Sequence, residues 1–385
     1  MTAGELKVGD PLELSTAAFF QAHGYLVRRG VKLSSAAGEK DTTDVDLVAI
    51  RFHVPVREER IIVDCRDRKR SVPFERVLWT LGLSAFTRAH HTIVVTPKPI
   101  PPVREFAAQG GVEVLSAEQV AAFVVQQSTQ YYGDADTARA ARLARVSHLK
   151  LPETKSLLHE LARVRQMLVV GSPTTNFNRL VLTIRRLRGL RQGSSVEWPW
   201  LRDFVCNDAT VTAALMLLRF VEEVKWSPEA DWRTTLTRRL TYGDVPPSKA
   251  LQLAKIALDQ PFPEGLPPPE YTEEVGGLVD QLIARSAVSV WTPISVDYLL
   301  AAGTVRSSGV PWVPAELQAE VLALGRRVIS TIGYAVTGTA GARGQALQAA
   351  GEVTGTPIPP SPQSGGAGNE QVLNPKSDSL GGHQQ

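Results

Sequence analysis

The chain has 385 residues, 43% of them hydrophobic and 21% charged, which is the balance of a water-soluble globular protein long enough to bury two cores. Its formal net charge of +3 is too mild for an obligate nucleic-acid coat, and the only two cysteines, Cys65 and Cys206, lie far apart. That spacing excludes a disulfide scaffold or zinc finger and fits a cytoplasmic protein; no apolar run approaches the ~20 residues of a membrane span, and Met1 to Asp10 lacks a signal-peptide pattern.

In chain order, residues 11–25 carry Leu12, Phe19 and Phe20 at helical spacing, with Gly24 as a stop. Residues 25–33 read as a strand. A polar loop over 34–43 leads to the alternating, β-rich DVDLVAIRF of 44–52, a second strand. A charged turn containing Pro55 follows, and IIVDCR (61–66) is a third strand that pairs with the second as a hairpin. Pro73 opens a helix to about residue 90, since proline loses nothing in a first turn. Residues 91–96 form a buried-type strand, a short helix covers about 103–108, and 111–115 form another strand. Ser116 and Gln119 then make a capping box that starts a helix through residue 125. The first ~130 residues thus make one α/β domain, a mixed sheet flanked by helices.

From residue 134 onward strand signals fade. Helices are expected near 134–150, 153–170, 176–191, 208–225, 247–259, 270–286 and 314–335, with Asn176 and Asp208 as N-caps and Pro152 and Pro314 in first turns. Residues 131–336 therefore form an all-α domain. Its tryptophans, scattered near helix ends, are expected to pack between helices. Residues 337–385 are rich in Gly, Ala, Ser, Pro and Gln and are expected to be a disordered tail.

The chemistry concentrates in the hairpin. Asp44 and Asp46 share one face of the second strand, and Asp64 and Arg66 share one face of the third. If the strands pair, Asp46 and Asp64 approach each other, and two carboxylates suit Mg²⁺ or Mn²⁺ with places left for water and phosphate oxygens. Arg66 would offset charge developing on phosphorus. His90 and His91 lack a partner motif and read as structural.

These residues resemble the PD-(D/E)xK nucleases, and within them the Mrr-like restriction endonucleases, over roughly Leu12 to Leu115. The matching positions are Glu13 on the first helix, the Gly24-Tyr25-Leu26-Val27 run, Asp46 within TDVDLVAI, and Asp64-Cys65-Arg66 within IIVDCRDRKR. The resemblance implies a restriction-endonuclease-like fold and metal-dependent endonuclease activity on DNA, with a restriction or defence role. Asp46 and Asp64 would hold the metal, Arg66 would stabilise the transition state, and Glu13 and Lys69 would be auxiliary. Arg66 departs from the family's usual lysine. It stays protonated at physiological pH and cannot accept a proton.

Three readings follow. The first is the metal-dependent endonuclease, with Arg68 and Arg70 touching DNA backbone beside the site and Arg185 and Arg188 clamping it from the helical domain. The second is a catalytically inactive nuclease fold that binds DNA or serves assembly, motivated by Arg66. In the third, the helical domain binds a protein partner and the N-terminal domain is a scaffold. Each residue also has a plainer account: Glu13 stabilises a helix N-terminus, and the 179–191 arginines form a solvated outer face. Two cuts in a duplex generally need two active sites, which is compatible with a homodimer, although the sequence indicates no interface.

Overall fold

In the computed structural model of the chain, residues 10–34, 41–66, 73–126, 133–149, 151–190, 193, 195–258, 262–301, 310 and 312–337 are described. The N-terminal part runs α1 (Asp10–Ala22), β1 (Leu26–Ser34), β2 (Asp41–His53), β3 (Arg57–Cys65), α2 (Pro73–Thr87), β4 (His91–Thr96), α3 (Pro101–Gln109), β5 (Val112–Ser116) and α4 (Ala117–Gln126). The order is the one expected from the sequence. The five strands form one sheet in the order β1-β2-β3-β4-β5. β1, β2 and β3 are antiparallel, while β3, β4 and β5 are parallel. Parallel neighbours need a crossover, which α2 and α3 supply.

Strand alternation sorts the two faces. Val27, Leu47, Ile61, Val63 and Val95 pack against Leu12 and Phe20 of α1 and Val120 of α4. On the opposite face Val94 and Val112 meet Val77 of α2 and Val103 and Ala107 of α3. The capping box forms as read: Gln119 N–H donates to Ser116 Oγ at 3.0 Å, and Ser116 N–H to Gln119 Oε1 at 2.8 Å.

The rest is helical: α5 (Gly133–His148), α6 (Pro152–Gln166), α7 (Pro173–Gly189), α8 (Trp198–Val224), α9 (Glu229–Tyr242), α10 (Pro247–Leu258), α11 (Thr272–Ala284), α12 (Ser286–Ser289), α13 (Thr292–Ala301) and α14 (Gln318–Thr337). No strand occurs among the described residues beyond Gly133. α9, α12 and α13 were not expected. α9 buries only Trp232, Leu236 and Leu240 among many polar residues, a stripe too narrow to stand out.

Two expected caps are not caps. α7 begins at Pro173, and Asn176 lies buried within its first turn, donating to Met167 O and Val170 O at the end of the preceding helix. α8 begins at Trp198 with proline in its first turn, and Asp208 sits in its interior, where two arginines hold it. α8 also corrects the expectation about apolar runs. It is long and apolar enough to cross a membrane by composition, but 89% of its most apolar window is buried inside the protein. Trp198 and Trp232 are buried as anticipated, whereas Trp226 is 80% exposed.

The sheet and the helices share one core. Leu26, Val48 and Ile62 of the sheet belong to the same buried cluster as Leu161 of α6, Phe177 of α7 and Phe220 of α8. Buried charges cross the same joint. Arg219 of α8 grips Glu58 of β3 with two bonds of 2.7 and 2.6 Å and donates to Leu168 O at 2.7 Å. Arg28 of β1 and Arg165 of α6 both hold Asp208, and Arg28 also reaches Asp297 at 2.9 Å.

Candidate functional site

The β2–β3 ladder fixes the site. Its last pair is Leu47 with Val63, so one step further Asp46 stands across from Asp64, with both side chains on the face away from α1. There the ladder stops, and a side chain takes over: Cys65 N–H donates to Asp46 Oδ2 at 2.7 Å. Gly30 of β1 lies between the Arg29–Leu47 and Val31–Val45 pairs, on the other side of Asp46. It adopts φ +59°, and no heavy atom comes within 4 Å of where its Cβ would stand. A cavity of about 410 Å³ runs along β1, lined by Glu13, Arg29 and Gly30 on one side and by Trp200, Asn207 and Asp208 on the other; neither Asp46 nor Asp64 lines it.

Asp64 is only 4% exposed and is held by two arginine forks. Arg66 donates Nε to Oδ2 at 3.0 Å and Nη2 to Oδ1 at 2.8 Å. Arg76 of α2 does the same, with Nε on Oδ2 at 3.2 Å and Nη2 on Oδ1. Four N–H groups thus occupy the carboxylate, close to its full accepting capacity. Arg76 was missed by the sequence reading. Its signal was helical phase: Arg76, Thr80, Leu83 and Thr87 fall at i, i+4, i+7 and i+11, and the last three are buried. An arginine on that inner stripe needs an acidic partner.

The two acids differ electrostatically from ordinary surface carboxylates. Burial, and next the charge of Asp64, push Asp46 up to about 6, against the pull of the Cys65 N–H and Arg66. Burial also raises Asp64, with Arg66 pulling the other way and Asp44 adding to the rise. The Cys65 thiol, on the α1 side of the sheet, is raised by its own burial and then by Asp46, with Glu13 and Asp64 contributing, which disfavours the thiolate. Glu13 itself pairs with Arg29 at 3.6 Å.

A divalent cation is implied here by the resemblance, and the donor set can be tested against it. Among the described residues Oδ1 of Asp46 has no hydrogen-bond donor, and Asp64 faces it across the strands. Two hard carboxylates fit Mg²⁺ or Mn²⁺, which bind few protein ligands and keep several waters. Among the described residues no cluster of three or more His, Cys, Asp or Glu could hold a metal, so the fit is to a two-carboxylate site only. Asp64 would also have to exchange a guanidinium contact for the ion.

The other residues singled out from the sequence fall elsewhere. Arg68, Lys69 and Arg70 lie outside the described residues. Arg185 is engaged at the end of α14, donating to Val336 O at 2.7 Å and Ala335 O at 3.2 Å, where it caps the helix instead of facing a ligand. Arg188 is exposed on α7, and no contact joins it to the acid pair. His90 is structural, as read: Nδ1 accepts the Arg60 N–H at 2.9 Å. His91 and His53 instead pair with Glu59 at 3.4 and 2.7 Å. Compared with protein-family models, with curated proteins and with solved structures, the chain shows no significant match to any.

Proposed function

We propose that the hairpin carries a metal-dependent phosphodiester-hydrolysing site of the restriction-endonuclease-like type, acting on DNA. The observation that supports it is the pairing of Asp46 and Asp64 across adjacent strands, with an open carboxylate oxygen on one and guanidinium forks on the other. Asp46 and Asp64 would hold the ion. A bound Mg²⁺ or Mn²⁺ would supply a Lewis acid and an activated water. Arg66 and Arg76, freed in part from Asp64, would take the non-bridging phosphate oxygens and offset their charge. A restriction or defence role extends this by resemblance alone.

One observation favours a second reading, a catalytically silent fold that binds DNA. With both forks on Asp64, the carboxylate is already neutralised without any metal. The two readings separate on plasmid DNA incubated with and without Mg²⁺ or Mn²⁺, beside Asp64→Ala and the nearly isosteric Asp46→Asn. Metal-dependent nicking that is lost in both variants is the expected outcome. Retained DNA binding with no cleavage of any substrate, modified or single-stranded DNA included, would replace it with the silent module.

A further inference from the structure

α2 has two faces of opposite character. Inward, it sends Arg76 to Asp64 and buries Val77, Thr80 and Thr87. Outward, it leaves Phe74 39%, Leu78 58%, Trp79 43% and Phe86 60% exposed. A helix covered on one side only should carry charge on the other, yet Glu75 is the one charged residue on this outer face. Phe74, Leu78, Gly82 and Phe86 follow one another at intervals of four, so they form a single ridge along the helix. Gly82 is a gap in that ridge, with no heavy atom within 4 Å of a Cβ placed on it.

We propose that this face is the interface of a homodimer, formed by α2 packing antiparallel against α2 of a second copy about a two-fold axis. Shape is the first argument for that occupant. An axis at position 80, midway along the ridge, brings Leu78 against the partner's Gly82 and Phe74 against the partner's Phe86. The ridge therefore supplies both the knob and the hole, as an isologous contact requires. Charge is the second. Glu75 in the first turn and Arg88 just past the last are both exposed, and among the described residues neither forms an ion pair. Antiparallel packing sets each beside its opposite on the partner. Area is the third. Taking ~200 Å² for a large side chain, the four apolar residues expose about 400 Å². A standard interface buries ~800 Å² per partner and is a little over half apolar, so the ridge together with Trp79 supplies most of the apolar surface needed. A patch of this size is within the range of the largest apolar patch on a monomer, which is often functional.

The inference does not rest on the nuclease reading, because association and cleavage are measured separately. Sedimentation velocity or light scattering of the full-length chain over a concentration series reads it directly. A dimer is expected for the wild type. Leu78→Lys and Gly82→Leu should each weaken it by about tenfold or more, the second by filling the hole. Gly82→Leu leaves the monomer's packing untouched and improves helix propensity, so its circular dichroism and melting temperature should be unchanged or better. Glu75→Arg alone should also weaken the dimer, and adding Arg88→Glu should restore it. A wild-type chain that stays monomeric at high concentration overturns the proposal. So does a dimer indifferent to both Leu78→Lys and Gly82→Leu, or a charge swap without rescue.

Discussion

The two ends of β3 carry buried acids on the same face of the same strand, and their fates are opposite. At one end burial opposes ionisation of Glu58, yet Arg219 and Arg60 outweigh it and hold the carboxyl down to about 2. At the other end, seven residues into the strand, Asp46 and Asp64 face each other and Asp46 rises to about 6. Glu58 accepts three hydrogen bonds from two arginines at the joint between the sheet and α8. Asp46 has one backbone N–H and a like charge across the strands. The first arrangement stabilises the fold in its ionised state, and the second does not. Asp46 is thus the incompletely satisfied member of the pair, and a carboxyl perturbed in this way marks a candidate functional site.

The largest effect should come from breaking the satisfied end. Arg219→Leu would leave Glu58 buried against α8 with only Arg60, and would also strand Leu168 O. Removing one partner of a buried pair typically costs about 3–5 kcal/mol, because the remaining charge is left uncompensated. Urea unfolding should show a loss of that size while Asp46 keeps its raised pKa. A loss under about 1 kcal/mol would mean that the joint between sheet and helices does not depend on this pair.

The strained end should respond in the opposite direction. For a carboxyl whose folded pKa is raised from 3.8 to about 6, the stabilising contribution is present below the unfolded value and disappears as pH rises through about 6. At pH 7 and above the ionised Asp46 therefore costs stability. Asp46→Asn removes that cost and keeps an oxygen for the Cys65 N–H, so it should stabilise the metal-free protein by about 1–3 kcal/mol above pH 7 and by little near pH 4. The same variant should lose Mn²⁺ binding in a calorimetric titration. A variant destabilised at every pH would show that Asp46 is structural, and the contrast between the two ends would collapse.

What the sequence made legible follows the range of the interactions. The order of the first nine elements could be read because alternation, Pro73 and the Ser116–Gln119 box are local signals. Asp46 and Asp64 could be paired because a hairpin brings neighbouring strands together. Asp208 was mistaken for a helix cap because its partners, Arg28 and Arg165, stand 180 and 43 residues away and leave no local trace. Arg76 lay between: twelve residues from Asp64, it showed only as an arginine on the buried phase of a helix. Nothing near the hairpin indicated that Val45, Val48 and Ile62 beside its acids would share a core with the helical part.

The smallest effect tests whether an arginine run says anything about ligands. Arg185 lies in the most arginine-rich stretch of the helical part, but its guanidinium meets two carbonyls at the C-terminal end of α14, 150 and 151 residues on. A cation at that end offsets the helix dipole and fills accepting carbonyls, which for a largely exposed side chain contributes about 0.5–1 kcal/mol. Arg185→Gln should thus lower stability by that small amount and leave DNA affinity and its salt dependence as they were. A salt slope reduced by about one counterion would instead mark Arg185 as a phosphate contact. It would then be a charge used by a ligand, unlike Arg219, whose charge is already satisfied by the fold.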